Sequence, residues 1–123
     1  MNIETGLKEA MAVDGAVGVA LVDGDSGMSL GSLGGGKQLD MEVAAAGETE
    51  VVRAKLRSLR SLGSEDAIED MLITLAKQYH VIRPLKSSGS AQELFLYLVL
   101  DRSKSNLAMA RHRLKRIESE LVL

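Results

Sequence analysis

The sequence contains no cysteine and no tryptophan, a single proline, and only three aromatic residues, Tyr79, Phe95 and Tyr97. Without cysteine the chain can form no disulfide, no thiolate zinc site and no thiol nucleophile, and its composition fits a reducing compartment. Two histidines, His80 and His112, are too few to build a histidine metal site. With so few rings, the core has to be aliphatic. Long apolar runs are missing as well. The longest, residues 16–22 and 94–100, have seven residues each, against the roughly 20 that a membrane-spanning helix needs. The first residues lack the basic and apolar regions of a secretory signal. No membrane insertion is expected, and the expected location is the cytoplasm.

The 123 residues amount to one domain, residues 1–123, long enough to bury a core of its own. Apolar residues make up 46% and charged residues 26% of the chain, as in an ordinary globular protein. The net charge of −2 is unevenly spread: residues 1–52 carry nine acids against two bases, residues 53–123 eight acids against thirteen bases. A chain that is acidic overall is not expected to bind nucleic acid. Two surfaces of opposite sign are expected instead.

Residues 2–12 read as a short helix, with Ile3, Leu7 and Met11 four apart, stopped at Asp14-Gly15. The unbroken apolar run 16–22 reads as a strand buried on both faces. A Gly24-Asp25-Ser26-Gly27 turn leads into a weaker strand over 28–33, whose serines and glycine suit a sheet edge. Residues 38–62 read as one long helix. It is acidic at its start and basic at its end, an order that complements the helix dipole, and Gly63 closes it. Strands are expected over 66–75, 79–85 and 94–100, with a Ser/Gly-rich loop over 86–92. Asn106 caps a last helix with a seam of Leu107, Ala110, Leu114, Ile117 and Leu121. The order α-β-β-α-β-β-β-α predicts an α/β domain. Its five-stranded sheet is mainly antiparallel, because consecutive strands need hairpins, and helices cover both faces.

No complete catalytic constellation is visible, and the reading is of a protein that is not an enzyme. Gly31 to Lys37 fits the G-x-x-x-x-G-K frame of a phosphate-binding loop, but Gln38 stands where Ser or Thr must hold magnesium. A flexible hairpin-to-helix link is the better reading, and a nucleotide hydrolase using Lys37 the least favoured. Asp23 to Gly27 is a turn rather than a calcium loop, since Gly34 occupies the place of the bidentate glutamate. Ser87, Ser88 and Ser90 have no histidine–acid pair at a readable spacing. The bases Arg111, Arg113, Lys115 and Arg116 read as the wet face of an amphipathic helix. No cofactor is expected.

Residues 14–23, Asp-Gly-Ala-Val-Gly-Val-Ala-Leu-Val-Asp, are followed by Gly27. Leu98-Val99-Leu100-Asp101-Arg102 is followed by Asn106-Leu107-Ala108-Met109-Ala110-Arg111. In these stretches the chain resembles the roadblock (dynein light chain) domain family, bacterial single-domain members in particular, with Asp14 where many members have proline. The resemblance implies a sandwich that dimerises into one continuous sheet and has no active site. It also implies a partnership with a Ras-like small GTPase, whose nucleotide cycle or placement such proteins regulate. The alternative function is a small-molecule-sensing α/β domain, with Gly18, Gly31 and the glycine link lining a cleft.

The small residues Ala44 to Gly47 permit either close packing on the chain's own sheet or close approach of a second helix. The apolar strand over 68–75 presents an edge open to a second copy. A homodimer is therefore expected through Ala44, Gly47, Glu48 and Val51 of the helix and Ile68, Met71, Leu72 and Ile73 of the edge. In it Glu48 and Glu50 would face Arg53, Arg57 or Arg60 of the mate.

Overall fold

A computed structural model describes residues 1–86 and 93–123; the expected loop, with Ser87, Ser88 and Ser90, lies outside the described residues. Eight elements follow in the expected order: α1 (Ile3–Met11), β1 (Ala16–Asp23), β2 (Met28–Gly34), α2 (Met41–Ser61), β3 (Met71–Thr74), β4 (Gln78–Pro84), β5 (Leu94–Asp101) and α3 (Leu107–Glu120). One five-stranded sheet runs β2-β1-β5-β4-β3, and every neighbouring pair is antiparallel.

β5 is the middle strand, and its alternation sorts the core into two layers. Leu94, Leu96, Leu98 and Leu100 face one side, where they meet Val19 and Leu21 of β1, Ala10 of α1 and Leu114 and Ile117 of α3. Phe95, Tyr97 and Val99 face the other, with Ala20 and Val22 of β1 beneath Met41, Ala45 and Val52 of α2. α1 and α3 thus cover one face and α2 the other. The seam expected for α3 is the seam observed: Ala110, Leu114, Ile117 and Leu121 are buried.

Each helix starts on a side-chain cap. Asn2 accepts from the Thr5 amide (2.8 Å), Asp40 from the Glu42 and Val43 amides, and Asn106 from the Met109 amide. Asp40 therefore stands outside α2, and the helix begins three residues later than residue 38. At its far end Gly63 takes φ 66°. Its amide donates to Arg60 O and the Ser64 amide to Leu59 O, a Schellman close.

The glycine run is a built turn, not a loose link. Gly34 and Gly35 have φ of 74° and 84°, and a Cβ on either would collide with Val17 O or Leu39 O. Gly18 faces Met41, and Gly31 faces Leu7 and Ile3. These glycines serve close packing.

β3 is shorter than the strand expected over 66–75. Met71 pairs with Ile82, so extending the register would set Glu69 against Pro84, which has no N–H to give. Asp70 is drawn elsewhere. It accepts two bonds from Arg111 (2.7 and 2.9 Å) and lies 4.0 Å from buried Arg83. Arg83 in turn donates to Glu118 Oε1 (2.8 Å), and the Lys86 amide donates to Glu118 Oε2 (2.9 Å). This network ties the approach to β3, the end of β4 and α3 together.

Two substitutions test the layers. Leu98→Asp buries an unpaired charge and is expected to cost several kcal/mol. Glu118→Ala strands Arg83 and is expected to cost about 3–5 kcal/mol, while Glu120→Ala on the exposed surface stays within about 0.5 kcal/mol. Urea denaturation monitored by circular dichroism measures all three.

Candidate interaction surface

The expected interface residues fall into three groups. Ala44, Gly47, Glu48 and Val51 lie on α2, and Met71, Leu72 and Ile73 on β3. Ile68 lies outside β3, in the segment that joins it to α2. Met71 and Ile73 sit opposite Ile82 and His80, residues on the α2 side of the sheet. Leu72 points to the other side and is 40% exposed.

Ala45, not Gly47, packs α2 onto the sheet: Ala45 is fully buried, and Ala44 is half-buried against the same core. A Cβ added at Gly47 would meet nothing within 4 Å, and Val43, one turn earlier, is 69% exposed. The outer surface of α2 thus carries an exposed valine one turn before a gap at Gly47. β3, at the end of the sheet, pairs on one side only.

Glu48 does not point outward. Its side chain is 14% exposed and lies 3.8 Å from His80 Nδ1. Tyr97 Oη also lies 3.0 Å from His80 Nδ1, and His80 Nε2 lies 3.0 Å from Gln78 Oε1. Burial above all, then the charge of Glu48 and a hydrogen bond to it, pushes the Tyr97 phenol well above its ordinary value. The cluster pins α2 to β4, next to the edge strand. Arg53 is also engaged at home: its Nη2 donates to Gly24 O (2.9 Å) and to Asp25 O. The charge pairing expected with a mate is therefore left to Glu50, Arg57 and Arg60, which are exposed.

A cleft of about 480 Å³ opens between the second half of α2 and the ends of β4 and β5. Val52, Leu56, Ile68, Pro84, Leu94 and Phe95 form its apolar wall, with Arg53, Asp66, Lys86 and Glu93 among its polar groups. Sequence reading found neither this cleft nor the Arg83–Glu118–Asp70–Arg111 network. One signal was present for the network. Arg83 sits between Ile82 and Pro84 in an otherwise apolar strand, and a charge there demands partners.

Among the described residues no cluster of three or more histidines and acids could hold a metal ion, and no helix is long and apolar enough to cross a membrane.

The architecture is an α/β sandwich built on an antiparallel five-stranded sheet. Neither a protein-family profile nor a curated protein matches the sequence, but solved structures do. MglB of Myxococcus xanthus superposes with a TM-score of 0.74 at 22% identity, over 94% of this chain and 78% of that one. A Roadblock/LC7 domain from Streptomyces avermitilis gives 0.78 at 11% identity, over 98% and 94%. An MglB with a tetrameric arrangement gives 0.78 at 18% identity, over 95% and 82%. The chain has the roadblock fold.

Two outcomes follow for the surface. Gly47→Ala is expected to stabilise the fold by about 1 kcal/mol, since it removes a glycine from a helix interior without meeting a neighbour; thermal unfolding measures it. The raised Tyr97 pKa contributes stability that is complete below the unfolded value near pH 10 and is lost as the pH climbs beyond it. Tyr97→Phe should therefore lose less stability than the wild type between neutral pH and alkaline pH above 10, as read by urea midpoints at the two pH values.

Proposed function

We propose that the protein is a non-enzymatic, homodimeric scaffold that binds and regulates a Ras-like small GTPase in the cytoplasm. The observation that carries the self-association is the juxtaposition of an outer strip on α2, exposed Val43 and the gap at Gly47, with an open β3 edge at the end of the same sheet. A two-fold axis at that edge pairs β3 with its copy and sets the two α2 helices antiparallel, a self-complementary contact. Ala44, Gly47 and Val51 then line the helix contact, Met71, Leu72 and Ile73 the strand contact, and Ile68 the flank. Glu48 supports the contact from beneath. The tetrameric arrangement of one MglB supports a surface used for assembly. The GTPase enters through the roadblock resemblance, a fold-level analogy, and the paired helices are the platform assigned to it.

A second reading, small-molecule sensing, has one observation in its favour: the cleft beside α2.

Sedimentation at micromolar concentration tests the dimer. The wild type should run as a dimer, Leu72→Pro as a monomer, and Gly47→Leu as a weakened dimer whose chains still unfold cooperatively. A wild-type species near 13 kDa removes the edge-pairing arrangement. Mixing with Ras-like GTPases of the same organism, loaded with GDP or a non-hydrolysable GTP analogue, tests the partner. Binding of at least one by the wild type, and its loss in Leu72→Pro, is the expected result.

A further inference from the structure

The cleft beside α2 continues into a second, smaller depression. The two share Arg53, Leu56 and Glu93, and the second adds Arg57 and Arg60. The floor of the first is hydrocarbon: Val52, Leu56, Ile68 and Phe95. These side chains have no hydrogen-bonding groups, so the floor offers nothing to a sugar or a nucleobase. No ring stands ready to stack either, because Phe95 is 1% exposed. The hydroxyl of Thr49, which also lines the cleft, already donates to Ala45 O at 2.8 Å.

The outer end is different in kind. Arg53, Arg57 and Arg60 line it with Glu93, and the first cleft adds Lys86 and Asp66, so bases outnumber acids four to two. Among the described residues Arg57 and Arg60 have no acidic group within ion-pair distance, and the bonds of Arg53 go to neutral carbonyls. The α2 C-terminus offers its carbonyl ends to these cations but no anion. An apolar slot of a few hundred Å³ ending in fixed charge is the usual form of a ligand site.

From this arrangement we infer that the joined clefts bind an anionic amphiphile, an aliphatic carboxylate whose chain lies along the accessible Leu56 and Ile68, over the buried Val52 and Phe95, and whose head group meets Arg57 and Arg60. Apolarity and charge are read separately: the slot takes an apolar chain, the arginines an anion. Its chemistry does not depend on the GTPase. It rests on the sensing reading only for its purpose, since occupancy beside α2 would act on the helix that the dimer uses.

Titration calorimetry with sodium laurate below its micelle concentration tests the site, paired with amide chemical shifts. One laurate per chain is expected, with shifts at Leu56 and Ile68. Glycerol monolaurate, without the charge, and the double variant Arg57→Ala/Arg60→Ala with laurate should each bind about tenfold more weakly, the loss of a charge-assisted bond. Leu56→Asp, at a partly buried position on the cleft rim, should abolish binding while its amide spectrum stays folded. Absence of binding, binding of dodecyltrimethylammonium as tight as that of laurate, or unchanged affinity in Leu56→Asp overturns the assignment. So does binding only by the Leu72→Pro monomer, which would mean that a second copy fills the cleft. Sedimentation with and without laurate then reads sensing apart from binding: an unchanged dimer fraction on saturation removes the sensing reading and leaves the site.

Discussion

Everything in this molecule is arranged about a strand that never touches water. From Leu94 to Leu100 each residue of β5 is buried, so both faces of the sheet must be roofed along its whole length. That requirement places α1 and α3 on the leucine side and α2 on the side of Phe95 and Tyr97. It also makes β1 and β4 inner strands, since a fully apolar strand cannot lie at an edge. The thin, serine- and glycine-bearing β2 and the four-residue β3 are left for the outside. Segregation by side-chain shape follows from the alternation. Four leucines interlock with aliphatic helices, while the two rings and a valine meet Met41, Ala45 and Val52 of α2.

The charged groups that lie inside do so in pairs that close off polar backbone. Arg83 is paid for by Glu118, which also accepts the Lys86 amide, and Asp70 joins the same network from the approach to β3. A bridge of this sort contributes less to stability than its short distances suggest, because two ions lose their water. Its structural effect is specificity of position. The segment between α2 and β3 has few apolar anchors, and the carboxylate of Asp70 holds it to α3 through Arg111.

Much of the fold was legible because its signals are local and repeated. Two seven-residue apolar runs, the Asn106 cap and the closing Gly63 each carry their meaning within a few residues, whereas the sequence reading places Asn2 and Asp40 inside helices that they in fact cap. The order of elements and the antiparallel sheet followed from them. What was not legible depended on register or on distant neighbours. The expected strand over 66–75 ignored Pro84, which matters only once Met71 is known to sit against Ile82. The outward Glu48 of the sequence reading turned inward because His80 and Tyr97, 32 and 49 residues away in sequence, converge beneath it. Gly47 left two packings open, and only the neighbouring burial of Ala45 separates them. The cleft joins α2 to two strand ends and a connecting segment; no stretch of sequence spells such a meeting.

The two rims of the sheet are unequal, and this bears on the size that any assembly can reach. In β2, Ser29 and Gly31 lie opposite consecutive residues of β1, Val22 and Leu21, so Leu30 has no counterpart. A bulge of this type bends the strand and breaks the even row of amides and carbonyls that another chain would need. β3 keeps an unbroken register from Met71 to Thr74. A sheet with two regular rims could add copies without end and grow into a fibre. With one rim kinked, extension through the other uses up the only straight template, and growth by strand addition stops at a finite particle.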